Sequence, residues 1–326
     1  MTRALITGGT GFIGANLTLA LLARGINVRI LRRVNSDLRA LGSADVDYHI
    51  GDVTDPASLR GAFEGCDTVF HTAALVTFEK RKQELQHQVN VIGTRNVVDA
   101  ALATGVARLV HTSSIAAIGY PQAGALADEE TPFNWEGRSG YKLSKRLAEQ
   151  EVLSGVQRGL DAVIVNPSVV IGERDIHMHG GQLVKEAVRG LIPFYLDGGM
   201  NVVYVGDVVQ GHILAAERGR TGERYILGGQ NMTHKEIFRK AAALVHGRPP
   251  FIKLPIPLVK AGALVVEKVS NFAGIDPIIS LDMVAGAGRF LWYSTAKAER
   301  ELGYANSSFD TAVLSAFKWY RDHGFL

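Results

Sequence analysis

Cysteine is what the chain has least of: Cys66 stands alone in 326 residues. One thiol cannot form an intrachain disulfide or a thiolate metal cluster, and it reads as a small core residue in a reducing compartment. Charge of one sign is scarce too. The 35 Lys and Arg stand against 32 Asp and Glu, a net +3. The basic clusters Arg29/Arg32/Arg33 and Lys80-Arg81-Lys82 are short, and the second is expected on a solvated helix face. No basic stripe points to nucleic acid. Long apolar runs are missing as well. Lys260, Glu267 and Lys268 interrupt the longest, Leu258 to Val269. It is too short to span a bilayer, so it reads as a buried or interface helix and no membrane partner is expected. Only Met1-Thr2-Arg3 precedes the first strand, which leaves no room for a signal peptide and makes a cytoplasmic location the expectation. Repeats and low-complexity tracts are absent. No metal site is expected.

Apolar residues make up 47% and charged residues 21%, an ordinary balance for a chain that buries a sizeable core. Glycine is concentrated near the start. Ala4 to Thr7 reads as a buried strand and Asn16 to Arg24 as an amphipathic helix, with Gly8, Gly9, Gly11 and Gly14 between them. The spacing fits Gly-x-Gly-x-x-Gly and Gly-x-x-Gly-x-x-Gly at once. A strand, a glycine turn and a helix N-terminus in that order make an anion site. Unpaired N–H groups along Gly8, Thr10, Gly11, Phe12, Ile13 and Gly14, with the helix dipole behind them, suit the pyrophosphate of a dinucleotide. An ordinary tight turn is the bland alternative, and the flanking strand and helix count against it.

Ile26 to Leu31 reads as the second strand. It ends where an acid would bond the ribose of NAD, but Arg32 and Arg33 stand there, followed by Ser36 and Arg39. A guanidinium grips a 2′-phosphate with two parallel charge-assisted bonds, so the pair favours NADP(H) over NAD(H). A pair of solvent-exposed arginines is the alternative. A third strand, Tyr48 to Ile50, precedes Asp52 and Val53. Asp55 with Pro56 caps the next helix, which leaves Asp52 to accept from an adenine amino group or to close a turn. Asp67 to Phe70, the fourth strand, runs into His71, Thr72, Ala73 and Ala74. The small residues let backbone lie against a ribose and diphosphate. His71 has no partner at ligand spacing and reads as a strand-end residue.

Glu79 to Thr104 is a long helical stretch. A fifth strand, Arg108 to Thr112, ends in Ser113-Ser114, and a helix spans about Gly140 to Leu153. A sixth strand, Ala162 to Val165, runs on into Asn166-Pro167-Ser168-Val169. Six strand–helix alternations without a hairpin predict an α/β fold: a Rossmann-type doubly wound parallel sheet over residues 1–172, its site at the strands' carboxyl ends. The texture then becomes irregular. His177-Met178-His179-Gly180-Gly181 reads as a flexible loop. Asn201 to Val205 and the helix Asp207 to Glu217 are expected to return to the sheet over residues 200–220. Residues 173–326 otherwise read mainly as a smaller substrate-binding α/β cap, and the amphipathic stretch Asp310 to His323 should pack back on the body.

Tyr141 and Lys145, four residues apart, share one helix face. A nearby cation favours the phenolate and lowers a tyrosine's pKa toward the working range. The spacing alone is weak evidence, because Tyr293 and Lys297 repeat it in the irregular part. Tyr141, unlike Tyr293, opens the helix after a strand that presents Ser113-Ser114, and Tyr293 reads as structural. The glycine turn, Asp52-Val53, His71-Thr72-Ala73-Ala74, Asn90-x-x-Gly93-Thr94-x-Asn96, Thr112-Ser113-Ser114, Tyr141-x-x-x-Lys145 and Pro167-Ser168 appear in this order. Together they resemble the extended short-chain dehydrogenase/reductases, the group that includes dihydroflavonol reductases and nucleotide-sugar epimerases. The likeness is specific over about residues 1–220.

The resemblance implies Tyr141 as the acid/base, Lys145 as the residue that lowers its pKa and holds the nicotinamide ribose, and Ser114 as the holder of the reacting oxygen. Ser114 stands five residues before Gly119, as the family's serine stands before its loop glycine, with Ser113 the alternative. Thr112 belongs to the same cofactor-facing motif, and Pro167, Ser168 and Val169 pass the nicotinamide. Asn90 leans structural. Family members are often homodimers through helices such as Glu79–Thr104 and Gly140–Leu153. Dehydratases of the family carry an acidic pair after the serine, whereas Ile115-Ala116-Ala117 follows here. Leu75, Val76, Phe78, Ile115, Ile118, Trp135 and Tyr195 would give an apolar cleft for a small-molecule carbonyl substrate. Lys185, Arg189 and Arg289 would instead suit a sugar diphosphate, or serve only as solvated charges. The leading expectation is an NADPH-dependent ketone or aldehyde reductase. A nucleotide-sugar epimerase is the second reading and a noncatalytic NADP-binding sensor the third.

Overall fold

Apolar residues occupy both faces of nearly every early strand, as a parallel sheet covered on two sides requires. In the computed structural model, seven parallel strands form the central sheet: β1 (Arg3–Thr7), β2 (Asn27–Arg32), β3 (Asp47–Ile50), β4 (Thr68–His71), β5 (Arg108–Thr112), β6 (Ala162–Pro167) and a late arrival, β10 (Arg224–Leu227). Their spatial order is 3-2-1-4-5-6-10. Successive residues serve opposite layers. Ile6, Ile30, Phe70 and Val110 join one buried cluster, and Leu5, Leu31, Val69 and Leu109 the other. The described residues are 1–326 except 123–124, 136–139, 192, 274–283 and 285, so part of the expected cap lies outside them.

The connecting helices are α1 (Phe12–Leu22), α2 (Pro56–Phe63), α3 (Gln83–His87), α4 (Gly93–Thr104) and α5 (Gly140–Gln157). The first helix starts at Phe12 rather than Asn16, because the glycine turn runs directly into it. Asp55 caps α2 by accepting from Ala57 N, with Pro56 in the first turn. The stretch expected as one long helix is continuous but uneven. A 3₁₀ turn at Lys80–Lys82 leads into α3, and a π-turn at Gln88–Ile92 joins α3 to α4. Lys80 of that basic cluster pairs with Glu267 and Lys82 with Glu79.

Beyond Pro167 the chain adds β7 (Val169–Ile171), α6 (Gly181–Arg189), β8 (Phe194–Leu196), β9 (Gly199–Tyr204), α7 (Val205–Arg218), β11 (Gln230–Thr233), α8 (His234–Leu244), β12 (Ile252–Leu254), α9 (Ile256–Ala273), β13 (Phe290–Leu291), α10 (Ala296–Leu302) and α11 (Phe309–Asp322). One expectation fails here. The strand over 201–205 does not return to the central sheet: β9 pairs with β7 in parallel, Val169 opposite Val202, and also with β11 and β13. After Pro167 the chain peels away from the sheet, and its valines offer β9 a partner there. The sheet is completed instead by β10, from the stretch expected to be cap, while α7 does pack across β5 and β6 and against α1. Periodicity gives a strand's faces but not the identity of its partner.

For the apolar run 258–269, read as a buried or interface helix, the first alternative does not hold. The run forms most of α9 but is not buried. Leu258, Val265 and Val269 are more than half exposed, while Ala263, Glu267 and Ser270 are turned inward. As expected, α11 packs back, burying Phe309, Val313, Ala316 and Tyr320. No helix among the described residues is long and apolar enough to cross a membrane.

Candidate active site

Parallel register sets the strand ends in line: Leu31 beside Thr7, Thr7 beside His71, His71 beside His111, and Thr112 beside Val165. A cleft of about 530 Å³ opens over them. Gly8, Thr10, Gly11, Phe12, Ile13 and Gly14 border it, with Arg32, Arg33, Asp52 and Val53 toward one end. Thr72, Ala73, Ala74, Thr112, Ser114, Tyr141, Lys145, Pro167, Ser168 and Val169 complete the expected set. The structure thus gathers every residue expected to be catalytic or cofactor-binding around one cavity. Groups of three or more metal-ligating side chains are absent among the described residues.

Backbone does the work at the glycine end. Gly8 has φ +72°, and a Cβ on it would lie 2.6 Å from Ala73 N, while one on Gly14 would lie 2.2 Å from Gly8 O. Side chains would therefore fill the cradle. Gly11 begins α1 without a side-chain cap, so the first-turn N–H groups and the positive end of the dipole are left for an anion. These residues fit a dinucleotide's pyrophosphate.

At the end of β2, Arg32 lies over the Tyr48 ring, 5.0 Å from its centroid, and Nη1 donates to the carbonyls of Arg33 and Val34, both at 3.2 Å. Arg33 is exposed. Its N–H donates to Ser36 Oγ at 3.0 Å, and its guanidinium has no partner among the described residues. Asp52 closes a turn, Oδ1 accepting from Thr54 N and Oγ1 at 2.9 and 2.8 Å, while its carboxylate still borders the cleft.

The other end carries the titratable groups. Lys145 is buried, and Nζ donates to the Thr112 carbonyl at 2.9 Å. Burial lowers its pKa to about 8, against the pull of Glu149. The expected lowering of the Tyr141 phenol does not appear in the folded chain. Burial raises it above 10, opposed by interaction with the Ser114 hydroxyl, and the Lys145 ammonium is engaged with Thr112. Ser114 Oγ also accepts from Ala116 N at 3.1 Å, whereas Ser113 is buried with a hydroxyl that has no partner among the described residues. Phe78 meets Tyr141 edge-on, ring centroids 6.2 Å apart.

Behind this group stands a residue that the motif reading missed. Glu149 is fully buried. Its Oε1 accepts from Asn166 Nδ2 at 2.7 Å, and Oε2 lies 3.5 Å from both Arg146 and Arg224. Asn166 Nδ2 also donates to the Ser114 carbonyl at 3.0 Å. Glu149 follows Lys145 by four residues on α5, the same spacing that singled out Tyr141, and that was the available signal.

His71 is the strand-end residue expected. Thr94 Oγ1 gives its proton to the Asn90 carbonyl at 2.6 Å and so accepts from His71 Nε2 at 2.9 Å, which leaves Nδ1 to accept from Thr7 Oγ1 at 2.7 Å. Burial holds its pKa down to about 3. Asn90, on the π-turn, accepts from Leu75 N at 2.7 Å and donates to Ser144 Oγ at 2.9 Å, a brace between the cleft loop and α5. The second tyrosine–lysine pair is structural: Tyr293 is buried and donates to the Gly119 carbonyl at 3.2 Å.

Of the expected apolar lining, only Leu75 and Val76 border the cleft, joined by Leu85 and Val89. Ile118 is buried with Ala127, Ile226 and Tyr293, Trp135 donates to the Ile118 carbonyl, and Tyr195 lies in β8 beside β12. Arg289 stacks on Tyr120 at 3.8 Å, and neither Lys185 nor Arg189 borders the cleft. His177, His179 and Gly180, read from sequence only as loop, do border it.

This combination of sheet, cradle and serine–tyrosine–lysine group has known counterparts. The model of the NAD dependent epimerase/dehydratase family matches residues 4–228. The chain belongs to that family. It is thereby an extended short-chain dehydrogenase/reductase, a group of enzymes that bind a nicotinamide dinucleotide. A Synechocystis protein with the provisional name dihydroflavonol 4-reductase is 38% identical over 327 residues, covering 98% of this chain and 95% of its own. The solved structure of gox2253 is 39% identical with a TM-score of 0.88, covering 99% of both chains. A Thermus thermophilus UDP-glucose 4-epimerase in complex with NAD is 26% identical with a TM-score of 0.77, covering 98% of this chain and 99% of the other.

Proposed function

We propose that this enzyme reduces a ketone or aldehyde to an alcohol with NADPH, Tyr141 acting as the proton donor. The observation that carries the reading is the meeting of Ser114, Tyr141 and Lys145 at one end of the cleft whose other end holds the glycine cradle and Arg33. When bound, the cofactor supplies the hydride that the carbonyl carbon takes up. Ser114 Oγ donates a hydrogen bond to the carbonyl oxygen and fixes it against the phenol. Tyr141 Oη gives that oxygen its proton, and a phenol kept protonated by burial suits the reductive direction. Lys145, positioned by the Thr112 carbonyl, then faces the phenolate charge and holds the ribose hydroxyls. Arg33, with Arg32 and Ser36, receives the 2′-phosphate. Asp52 and Val53 receive the adenine, and Thr72 to Ala74 and Pro167 to Val169 flank the ribose and nicotinamide.

Leu75, Val76, Leu85 and Val89 favour an apolar carbonyl compound, in keeping with the reductase name of the Synechocystis relative. The epimerase likeness keeps a nucleotide-sugar reaction as the second reading. A noncatalytic sensor has no need of the complete serine, tyrosine and lysine set. A homodimer through α4 and α5 belongs to the proposal, and a monomer by light scattering would remove it. The deciding assay follows NADPH and NADH oxidation with aromatic ketones, aliphatic aldehydes and nucleotide sugars in parallel. Net NADPH loss with a ketone or aldehyde is expected. Conversion of a sugar without net cofactor change would replace the first reading with the second.

A further inference from the structure

One segment of the cleft wall comes from outside the residues that the proposed chemistry uses. It runs from Glu173 to Gly181, and two of its non-glycine residues adopt the left-handed region, Arg174 at φ +69° and Met178 at φ +55°. Such backbone persists only where surrounding contacts enforce it. Here they do. Asn16 Nδ2 donates to the Glu173 carbonyl at 3.0 Å, and Tyr204 Oη donates to Glu173 Oε1 at 3.0 Å. Buried Asp175 gathers Gly180 N and Gly181 N on Oδ2 at 2.8 and 3.0 Å. Arg174 Nη1 reaches across to the Ala40 carbonyl at 2.7 Å, tying the segment to the loop that follows Arg33 and Ser36.

The segment is therefore a built span over one end of the cleft, and it projects two imidazoles. His177 and His179 both border the cavity, are exposed, and have ring centroids 6.0 Å apart. Neither ring makes a hydrogen bond among the described residues. His177 comes within electrostatic reach of Asp37, whose carboxyl is held below the usual range first by Arg39 and also by this imidazole. The charged groups nearest in the fold are Asp37, bonded to Arg39, on the loop after β2, with Glu173 and Arg174 on the span and Asp175 beneath it, and Arg33 borders the same cavity. Of the lysines and arginines that border the cavity, Lys145 donates to the Thr112 carbonyl and Arg32 to two backbone carbonyls, so Arg33 is the one whose charged end has no partner among the described residues, and the two imidazoles are unbonded as well.

We infer that His177 and His179 form a second, proton-dependent side of the site for the cofactor's 2′-phosphate, opposite Arg33. The inference rests on the NADPH reading above. Histidine changes charge between pH 5 and 8, so the grip tightens as pH falls, and it is specific for a ligand that carries the extra phosphate.

The test is equilibrium binding of NADPH and NADH by fluorescence at pH 6 and pH 8, to the wild-type chain and to H177N/H179N. Comparing the two proteins at each pH cancels the ligand's own titration. Wild type should hold NADPH more tightly at pH 6 than the variant does by about fivefold, the size of an added charge pair at a solvated site. The difference should shrink at pH 8 and be small for NADH at both. Equal effects on NADPH and NADH would make the histidines a closure device instead and overturn the inference. So would a variant whose NADPH affinity matches wild type at pH 6. In either case the NADPH reading survives, whereas failure of wild type to bind NADPH at all removes both. Both side chains are exposed, and an unchanged thermal midpoint confirms that the variant is folded.

Discussion

The parallel sheet and the cap meet the same cleft on unequal terms. The sheet half supplies almost all of the wall, because six adjacent strands end there and each delivers its last residues to one line. Beyond residue 172, His177, His179 and Gly180 are the described residues that border it. The residues proposed to handle the cofactor and the proton thus come from a repeated local device, a strand followed by a turn. The part beyond residue 172 contributes little to that wall, and the apolar residues Leu75, Val76, Leu85 and Val89 come from the sheet half as well.

Tyr141→Phe strikes hardest at this division. It should lower kcat by about 10²- to 10⁴-fold, the range of a lost general acid, while NADPH affinity by fluorescence titration stays at the wild-type value. Retained turnover would detach the chemistry from the sheet half. Arg33→Asp comes next. Losing a charge-assisted phosphate contact should weaken NADPH by roughly 10- to 100-fold and spare NADH. Arg32→Asp should act less, since that guanidinium is already bound over Tyr48. Equal losses of both cofactors would show that neither arginine reads the phosphate.

Glu149→Gln tests the buried support of the same half. The carboxylate holds up a lysine whose pKa is already lowered to about 8, so removing it should lower Lys145 further. The charged ammonium is then lost at lower pH, and the alkaline limb of the kcat profile moves in the acid direction. An unmoved limb with reduced activity would make Glu149 a packing residue. On the cap side, Lys185→Ala with Arg189→Ala should change kcat/KM for a carbonyl substrate by less than about twofold, as for solvated charges. A large loss confined to nucleotide sugars would restore the diphosphate reading.

The parallel sheet, its first six strands along the chain and the cleft-bordering motifs were legible because each is local: Gly8 to Gly14 needs only β1 before it and α1 after it. What escaped depends on distant partners. The seventh strand, Arg224–Leu227, is four residues long and defined by lying beside β6. The Tyr141 phenol was expected to fall and instead rises, since burial outweighs the Ser114 hydroxyl, and burial is set by packing from distant parts of the chain. Trp135 and Ile118 have the composition of a pocket wall but spend themselves on each other's loop. The outward leucine and valines of α9 match a buried pattern that the packing does not use.

The late arrival of β10 bears on how the chain is made. Every residue of β6, from Ala162 to Pro167, is buried, and one of its edges is covered only by a strand some 60 residues further on. Until residue 227 has left the ribosome, the growing sheet ends in an unpaired apolar edge, the kind that templates association with other chains. A fragment cut at residue 172 would keep that edge for good. The half proposed to hold the nucleotide is therefore not closed at the point where its motifs stop, and the strand that covers its edge comes from beyond residue 222.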